Sequence, residues 1–191
     1  MQNAQMPYHG GYGKNSPKMK VTRAKASGIV FNDYGQILVV RYLGENDKLV
    51  FPGGGIEPYE APHVAALREI FEETGVTAEI VDANPAVRLE FAPNWLVESL
   101  PAPICTIYYR EYECLDYIYL CKYVSGETVA QESEISAAIW LTLEQLESAS
   151  TYENVKQLAR IAMTVLQQSR MLVADCYNGC YGYCADNAHP F

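Results

Sequence analysis

The stretch Gly53–Val76, GGGIEPYEAPHVAALREIFEETGV, decides how the rest of the sequence is interpreted. It begins with consecutive glycines, which predict a turn whose backbone can expose carbonyls and approach a ligand closely. Residues 58–74 then predict a helix, with Gly75 as its C-terminal stop. Pro62 weakens the first turn, so the regular helix can begin nearer Ala61. The stretch therefore predicts a glycine-rich turn that leads into a helix.

The predicted helix has an apolar side and an acidic side. Its apolar positions, which recur at helical spacing, are Val64, Leu67, Ile70 and Phe71. Glu69, Glu72 and Glu73 are three and four residues apart, so their carboxylates point to one side and repel one another. Mg²⁺ removes this conflict because it takes oxygen ligands, and a glycine carbonyl can add another. Taken alone, however, the three glutamates are also compatible with a solvated acidic helix face.

The full spacing of the stretch favours the metal site. Gly54, five residues, Glu60, seven residues, Arg68-Glu69-Ile70, one residue, Glu72-Glu73, one residue and Gly75-Val76 match the Nudix box at every position. The sequence therefore resembles the Nudix hydrolases. The resemblance implies an α/β (α+β) fold, an αβα sandwich with a mixed β-sheet between helices. It also implies hydrolysis of a nucleoside diphosphate linked to another moiety, by water attack on phosphorus with Mg²⁺ or Mn²⁺.

The same resemblance implies roles for the residues of the box. Glu72 and Glu73 are the principal metal ligands, and Glu69 is a further ligand or the general base. The backbone of Gly53 or Gly54 supplies a carbonyl ligand. Each of these residues is therefore a candidate for the catalytic or metal site.

Two acidic positions outside the metal set complete the implied site. Glu60 forms a structural ion pair with Arg68 that orients the helix, and an arginine can restrain a carboxylate in a way that lysine cannot. The family often supplies a further acid from a loop after the central strands. Glu134 is the first candidate for that acid and Glu132 the second, although both can equally belong to an ordinary polar loop.

Residues that could bind the rest of the substrate are less specific. The arginines at or beside predicted strands, which could contact a phosphate, are Arg23, Arg41 and Arg88. The aromatic residues that could stack on a base are Phe51, Phe91, Trp95, Tyr108 and Tyr109. Core packing is the competing interpretation for each aromatic except Trp95, which falls in a proline-rich segment. Pro93 loosely matches a proline of ADP-ribose hydrolases, but the substrate does not follow from the sequence.

Strand patterns surround the box. Residues 24–31 and 36–42 predict a β-hairpin closed by a turn at Asn32–Gly35. A short strand at Leu49–Phe51 leads into the glycines. Further strands are predicted from Val76 through 86–91 and at 104–110, 114–124 and 138–141, with loops over 92–103 and 125–136 and an exposed Tyr112 at a hairpin tip.

Two helices are predicted after the strands. Thr142 and Gln145 form a capping box for a helix over 143–148. A last helix spans 151–169, with an apolar face at Val155, Leu158, Ile161, Ala162, Val165 and Leu166. The order of elements predicts a mixed sheet between helices.

Composition and charge restrict the class of partner. The 191 residues carry a formal net charge of −9, which makes nucleic acid an unfavourable partner because phosphate contacts need Lys and Arg. No signal-peptide pattern or membrane-spanning apolar run is found, so a cytoplasmic location without membrane contact is expected. The expected partner is a small nucleotide-type substrate, and the resemblance makes a homodimer a possible oligomeric state.

The sequence predicts three regions. A flexible N-terminal segment over 1–20 precedes the Nudix hydrolase domain over 21–170, and a tail rich in Cys, Tyr and Gly covers 171–191. Cys105, Cys114 and Cys121 lie in apolar strand-like runs and are expected to be small buried hydrophobes. The tail cysteines are Cys176, Cys180 and Cys184, and their spacing differs from that of common zinc sites, which leaves metal or redox chemistry as a minor alternative.

Two other functions compete with hydrolysis of a small-molecule diphosphate. A non-catalytic Nudix-fold module could sense a nucleotide metabolite without turning it over, but such modules typically lose box glutamates, and all are present here. An RNA-decapping type of enzyme would need a basic surface, which the acidic charge argues against.

Overall fold

The computed structural model describes residues 20–44, 47–81, 88–91, 95–98, 100–131 and 133–180, with the backbone alone for 88–91, 95–98 and 169–180. In that part of the chain the strands are β1 (Arg23–Phe31), β2 (Ile37–Tyr42), β3 (Gly53–Gly55), β4 (Thr77–Ile80), β5 (Arg88–Phe91), β6 (Trp95–Glu98), β7 (Cys105–Tyr109), β8 (Cys114–Ser125) and β9 (Ile135–Leu141). The helices there are α1 (Pro62–Thr74), α2 (Leu143–Ser148) and α3 (Glu153–Cys180), with a 3₁₀ turn at Arg110–Tyr112.

The strands build one mixed sheet and a separate ribbon. Over the described residues the sheet has seven strands in the order β4-β8-β1-β2-β9, with β3 paired to β1 and β7 paired to β8. β1 and β8 run parallel from the pair Arg23–Cys114 to the pair Phe31–Lys122, while the other pairings are antiparallel. β5 and β6 form the two-stranded ribbon.

Each face of the sheet carries its own apolar core. On one face, alternate residues of β1, β2 and β8 pack against α2 and α3, and the buried members include Ile29, Phe31, Ile118, Leu146 and Ala159. On the other face, the intervening residues pack against α1, with Val30, Leu38, Tyr119, Ala65 and Ile70 among the buried members. This arrangement confirms the predicted αβα sandwich around a mixed sheet.

Several local predictions are also confirmed. The β1–β2 hairpin closes at Asn32–Gly35, where the Gly35 amide donates to the Asn32 carbonyl over 3.0 Å. Thr142 and Gln145 form the reciprocal capping box of α2. Gly75 ends α1 in the left-handed conformation, with φ 70°, and Tyr112 is exposed. Sequence signals that act within a few residues were therefore sufficient for these features.

The three glycines form a strand, and the predicted turn is wrong. β3 pairs antiparallel with β1 through the partners Ser27–Gly53 and Lys25–Gly55. A Cβ on Gly53 would lie 2.5 Å from the carbonyl oxygen of Ala26, so the two strands approach too closely for any side chain there. Glycine is depleted in strands, and the strand that pairs with these glycines, β1, lies far away in sequence. The local sequence therefore gives no strand signal. The strand predicted at Leu49–Phe51 is reduced to isolated bridges.

Helix α1 differs from its prediction at its start and in its apolar face. It begins at Pro62 rather than at residue 58, after the uncapped residue Ala61, which confirms the alternative start nearer Ala61. Val64 and Phe71, which were assigned to the buried face, are 47% and 58% exposed. The buried residues of α1 are Ala65, Ala66, Ile70, Glu73 and Thr74. Small alanines let the helix pack close to the sheet, and this places Glu73 inside the protein.

Three other element predictions need correction. The surrounding prolines predict a loop at residues 95–98, but these residues form β6, in which Trp95 pairs with Phe91 of β5. β9 begins at Ile135, earlier than predicted, and is paired along β2 as far as Tyr42. Helix α3 starts at Glu153 and extends past the predicted end at 169 to Cys180. It continues because no glycine or proline follows soon after residue 169 to end it. Ile161 of its predicted apolar face is 52% exposed.

The cysteine predictions are partly tested. Cys114 and Cys121 are buried, and Cys105 is partly buried. Burial raises the pKa of the Cys121 thiol to about 12, which keeps this group protonated and unreactive at neutral pH. The backbone of Cys176 and Cys180 belongs to α3, and Cys184 lies outside the described residues. Within the described residues no helix combines the length and hydrophobicity needed to cross a membrane.

Candidate active site

A large cavity opens between the sheet, α1 and the start of α3. Its volume is about 1160 Å³, and it is lined by residues of β1, β3, β7 and β8, by the acidic side of α1, and by Gln131 and Glu134 of the segment before β9. Glu69, Glu72 and Glu73 all reach it. The structure therefore brings the box glutamates and Glu134 to one cavity, although they come from distant parts of the chain.

Glu73 is the most buried of these carboxylates, with 2% of its surface exposed. Oε2 accepts a hydrogen bond from the Gly53 amide over 3.0 Å, and Oε1 accepts one from the Tyr42 hydroxyl over 2.6 Å. The pKa of Glu73 is raised to about 7, chiefly by burial and also by the charges of Glu69 and Glu134, although the two hydrogen bonds lower it. A carboxylate that titrates near neutral pH is typical of functional sites.

Arg68 connects β3, the segment between β3 and α1, and the acidic side of α1. Its guanidinium donates to both carboxylate oxygens of Glu60, over 2.8 and 2.9 Å, and to the Gly55 carbonyl over 2.9 Å. The third nitrogen contacts Glu69 over 2.9 Å and Glu72 over 2.8 Å. These contacts hold the pKa of Glu60 below its usual value. The planar guanidinium of Arg68 thus makes paired contacts that the single ammonium group of a lysine could not reproduce.

Neighbouring carboxylates act on the pKa of Glu69. Burial raises the pKa of Glu69, its hydrogen bond with Arg68 lowers it, and the charges of Glu72 and Glu134 raise it. The same Glu134 charge acts on Glu73. Glu134 itself is exposed, and its carbonyl accepts from the Leu43 amide over 2.9 Å. The charge of Glu134 therefore disfavours the charged forms of both Glu69 and Glu73.

The residues predicted to bind the rest of the substrate are dispersed. Phe51 lines the cavity but is 7% exposed and belongs to the core against α2 and α3. Arg41 lies on β2 beside Ala137 of β9 and is not among the residues that line the cavity. Arg88 and Trp95 lie on the β5–β6 ribbon, where the structure describes only the backbone. Glu132 lies outside the described residues.

The structure adds functional candidates that the sequence did not suggest. Tyr42 contacts both Glu73 and, over 2.8 Å, the Gly53 carbonyl. Lys25, Ser27 and Asp116 form a polar group on the floor of the cavity. The available signal for Asp116 was its position in β8, where it alternates with Cys114 and Ile118 on a face that is otherwise apolar. For Tyr42 no local signal exists, because its partners lie on β3 and α1.

The donor atoms fit a hard divalent cation in their chemistry. Carboxylates of Glu69, Glu72 and Glu73 and the carbonyls of Gly53 or Gly54 are oxygen donors of the kind that Mg²⁺ and Mn²⁺ prefer. Across the described ranges, no group of three or more His, Cys, Asp or Glu side chains is arranged to hold a metal ion. Arg68 pairs with two of these glutamates, and Tyr42 contacts the third.

Comparison with known proteins assigns the family. The sandwich fold and a cavity rimmed by box glutamates define a Nudix-type domain. A family model described as NUDIX domain matches residues 21–161, so the chain belongs to the Nudix family.

The hydrolase of the NUDIX family from Clostridium perfringens superposes with a TM-score of 0.62 at 23% identity, covering 75% of this chain and 97% of that one. An Ap4A hydrolase binary complex from C. elegans gives 0.52 at 16% identity, covering 75% and 98%. Both likenesses support the fold.

Curated relatives match over less than half of the chain. The RNA pyrophosphohydrolase of Proteus mirabilis (strain HI4320) is 38% identical over 73 residues, which is 38% of this chain and 38% of the relative. The 8-oxo-dGTP diphosphatase of Escherichia coli (strain K12) is 35% identical over 82 residues, which is 38% of this chain and 64% of the relative. The chain therefore spans less than two thirds of the length of these relatives.

Proposed function

We propose that the chain hydrolyses the diphosphate linkage of a nucleoside diphosphate linked to another moiety, by water attack on phosphorus. The observation that carries the proposal is that Glu69, Glu72, Glu73 and Glu134 all line one cavity, with Arg68 beside them. The names of the curated relatives, pyrophosphohydrolase and diphosphatase, support the same reaction class. They differ in what they act on, so they do not define the substrate of this chain.

The proposed cofactor is Mg²⁺ or Mn²⁺. Glu72 and Glu73 would be its principal ligands, with Glu69 and a carbonyl of Gly53 or Gly54 as further donors. When bound, the cation neutralises phosphate charge and polarises the attacking water. The acidic cavity would otherwise repel a diphosphate, because every carboxylate at the rim carries the same sign of charge as the substrate.

The side chains of the chain itself have separable roles in this proposal. Glu73 is held in place by the Gly53 amide and the Tyr42 hydroxyl. Glu69 or Glu134 takes the proton of the attacking water, and the raised pKa of Glu69 makes it a stronger base. Arg68 and Glu60 fix the position of α1 relative to β3.

The remainder of the substrate would extend from this acidic end across the cavity. Arg23 lines the cavity, whereas Arg41 does not, so Arg23 is the better placed of these two arginines to contact a phosphate. Roles for Arg41, Arg88, Trp95 and Phe51 in substrate binding stay predictions. A small nucleotide-type substrate remains favoured over nucleic acid because of the net charge of −9. A homodimer stays a prediction, which size-exclusion chromatography with light scattering can test.

A non-catalytic sensor is the alternative function. It would bind a nucleotide without needing acidic groups poised to activate water. The full set of box glutamates at the cavity favours turnover instead.

The deciding experiment is a substrate panel assayed with and without metal. ADP-ribose, a dinucleoside polyphosphate, a nucleoside triphosphate and a 5′-triphosphorylated RNA are incubated with the protein in Mg²⁺, Mn²⁺ or EDTA. The proposal expects release of nucleoside monophosphate or inorganic pyrophosphate from at least one small molecule in the metal arms alone. Binding without turnover would support the sensor, and equal turnover in EDTA would refute the metal mechanism.

A further inference from the structure

A buried polar group lies on the floor of the cavity, away from the box glutamates. Asp116 of β8 is 2% exposed and faces the cavity. Its Oδ1 accepts a hydrogen bond from the Ser27 hydroxyl over 3.0 Å, and its Oδ2 lies 3.3 Å from the Lys25 ammonium. Both partners come from β1, which runs parallel to β8 with Lys25 directly opposite Asp116.

This group has no evident role in stabilising the fold. The Asp116 side chain is only 3% exposed, whereas that of Lys25 is 36% exposed. Taking the buried carboxylate out of water costs free energy that an apolar residue of similar volume would not. Burial raises the pKa of Asp116 even though Lys25 and Ser27 lower it. Farther along the same face of β8, Ile118 and Leu120 belong to the apolar core. The polar residues occur where the core gives way to the cavity.

The position of Asp116 matches the far end of a nucleotide. Gly55 of β3 pairs with Lys25 of β1, and Lys25 pairs with Asp116 of β8. Asp116 is thus two strand spacings, about 10 Å, from the strand that borders the box glutamates. A substrate whose diphosphate lies against α1 would place its nucleoside over β1 and β8.

The surroundings of Asp116 suit a flat ring. Tyr109 and Tyr112 of the β7 end line the same cavity, together with Ile107. The pKa of Tyr109 is raised to about 12, by burial first and then by the charge of Asp116, which places the phenol in the electrostatic field of that carboxylate. Aromatic walls beside a hydrogen-bonding group are typical of sites that bind a nucleobase.

The carboxylate also restricts which base can bind. An ionised carboxylate has about four acceptor positions and no donor, and within the described residues Ser27 and Lys25 use one on each oxygen. Two adjacent N–H donors on a ligand would fill the rest. The edge of guanine presents such a pair in its ring imino and exocyclic amino groups. Adenine places a ring acceptor next to its amino group, so the carboxylate would face a lone pair.

We propose that Asp116, positioned by Lys25 and Ser27, is a specificity-determining residue that binds the base of the substrate and selects guanine over adenine. The inference rests on the proposed function, since it assumes that the diphosphate lies against the acidic end of the cavity. A bidentate pair of this kind gives about ten- to hundredfold discrimination between bases.

The test measures binding of the three nucleoside monophosphates GMP, IMP and AMP to the full-length protein by calorimetry, in Mg²⁺ and in EDTA. IMP retains the imino donor and lacks the amino donor. The expected order of affinity is GMP, then IMP, then AMP, with about tenfold or more between the first and the last. Equal affinities, or no measurable preference in either condition, would overturn the proposal without any variant being needed.

The variant Asp116→Asn separates recognition from a structural role. Its amide offers one donor and one acceptor, so GMP affinity should fall to the level of AMP while AMP affinity rises or stays constant. Asp33→Asn, on the exposed β1–β2 turn, is the matched control and should keep the wild-type order. A uniform loss for all three nucleotides in Asp116→Asn would identify a structural residue. Turnover of a diphosphate by a wild-type protein that lacks the preference would refute the specificity and leave the proposed reaction intact.

Discussion

The hydroxyl of Tyr42 lies 2.6 Å from Oε1 of Glu73, and it also lies 2.8 Å from the Gly53 carbonyl oxygen. One phenol on β2 therefore contacts both a proposed carboxylate ligand on α1 and a proposed carbonyl ligand on β3. Its own pKa is strongly raised by burial and by the charge of Glu73, so it remains a donor at neutral pH. Tyr42 is thereby a positioning residue for the acidic end of the cavity.

Tyr42→Phe is expected to weaken metal binding at neutral pH. The hydrogen bond lowers the pKa of Glu73, so its loss raises that pKa and makes protons compete more strongly with the cation. A hydrogen bond to a charged group contributes about 1.5–3 kcal/mol, which corresponds to roughly ten- to hundredfold in Mg²⁺ affinity. Calorimetric titration with Mg²⁺ at pH 7 measures the change.

The pH dependence provides the internal check on this variant. Affinity of Tyr42→Phe should recover by about pH 10, where Glu73 is ionised in either protein. Tyr34→Phe is the matched control, because Tyr34 is 88% exposed on the β1–β2 turn. Unchanged affinity of Tyr42→Phe at pH 7 would show that the hydroxyl does not position the ligand.

Stability without metal should fall as the pH rises through the titration of Glu73. The folded-state pKa of about 7 lies above the usual 4.5, so the folded protein binds more protons than the unfolded chain between these values. The contribution is complete below pH 4.5 and is lost as the pH passes 7, a change of about 3 kcal/mol. Urea unfolding in EDTA, compared between wild type and Glu73→Gln, isolates this difference. Parallel curves for the two proteins would contradict the raised pKa.

Gly54→Ala should impair catalysis more than folding. An added Cβ would lie 2.4 Å from the Glu69 carboxylate, whereas at Gly55 a Cβ would meet nothing within 4 Å. The displaced group is the flexible end of a side chain, so the fold can adjust. We expect kcat to fall at least tenfold with the melting temperature nearly unchanged, and Gly55→Ala to retain both. Equal activity of the two alanine variants would argue against a role for Glu69 at its observed position.

Arg68→Lys should destabilise the protein by about 1–3 kcal/mol, since lysine cannot keep the paired contacts with Glu60 and the Gly55 carbonyl. Arg160→Lys is the control. Arg160 also binds a glutamate through two nitrogens, Glu147 over 2.6 Å, but its side chain is 47% exposed. An ion pair exposed in this way contributes little to stability. Chemical denaturation of both variants makes the comparison, and similar losses would show that Arg68 is no more than a surface ion pair.

The fold was predictable where its signals are local. The β1–β2 turn, the capping box of α2 and the glycine that ends α1 each depend on residues within a few positions. β3 was not predictable, because consecutive glycines form a strand here only through pairing with Lys25–Ser27 of β1. β6 was obscured by prolines in neighbouring positions, and the buried face of α1 by large apolar residues that the structure leaves exposed.

The acidic part of the candidate site was predictable from spacing, whereas its supporting residues were not. The positions of Glu69, Glu72 and Glu73 follow from one helix. Tyr42 joins them only because β2 and β3 lie next to one another beside α1, and Asp116 meets Lys25 only through the parallel pairing of β1 with β8. Contacts of this kind depend on tertiary structure, and a single sequence contains no local record of them.

The central claim is that Glu73 acts in hydrolysis at the acidic end of the cavity, and the comparison of kcat between wild type and Glu73→Gln in Mg²⁺ tests it most directly. Glutamine keeps the size of the side chain, and the Tyr42 hydroxyl can reorient to accept from the amide. Glu79→Gln on exposed β4 is the matched control. The account predicts a loss of at least a hundredfold in Glu73→Gln, with the folded structure intact by circular dichroism and Glu79→Gln active. A Glu73→Gln protein that turns over substrate at the wild-type rate would contradict it.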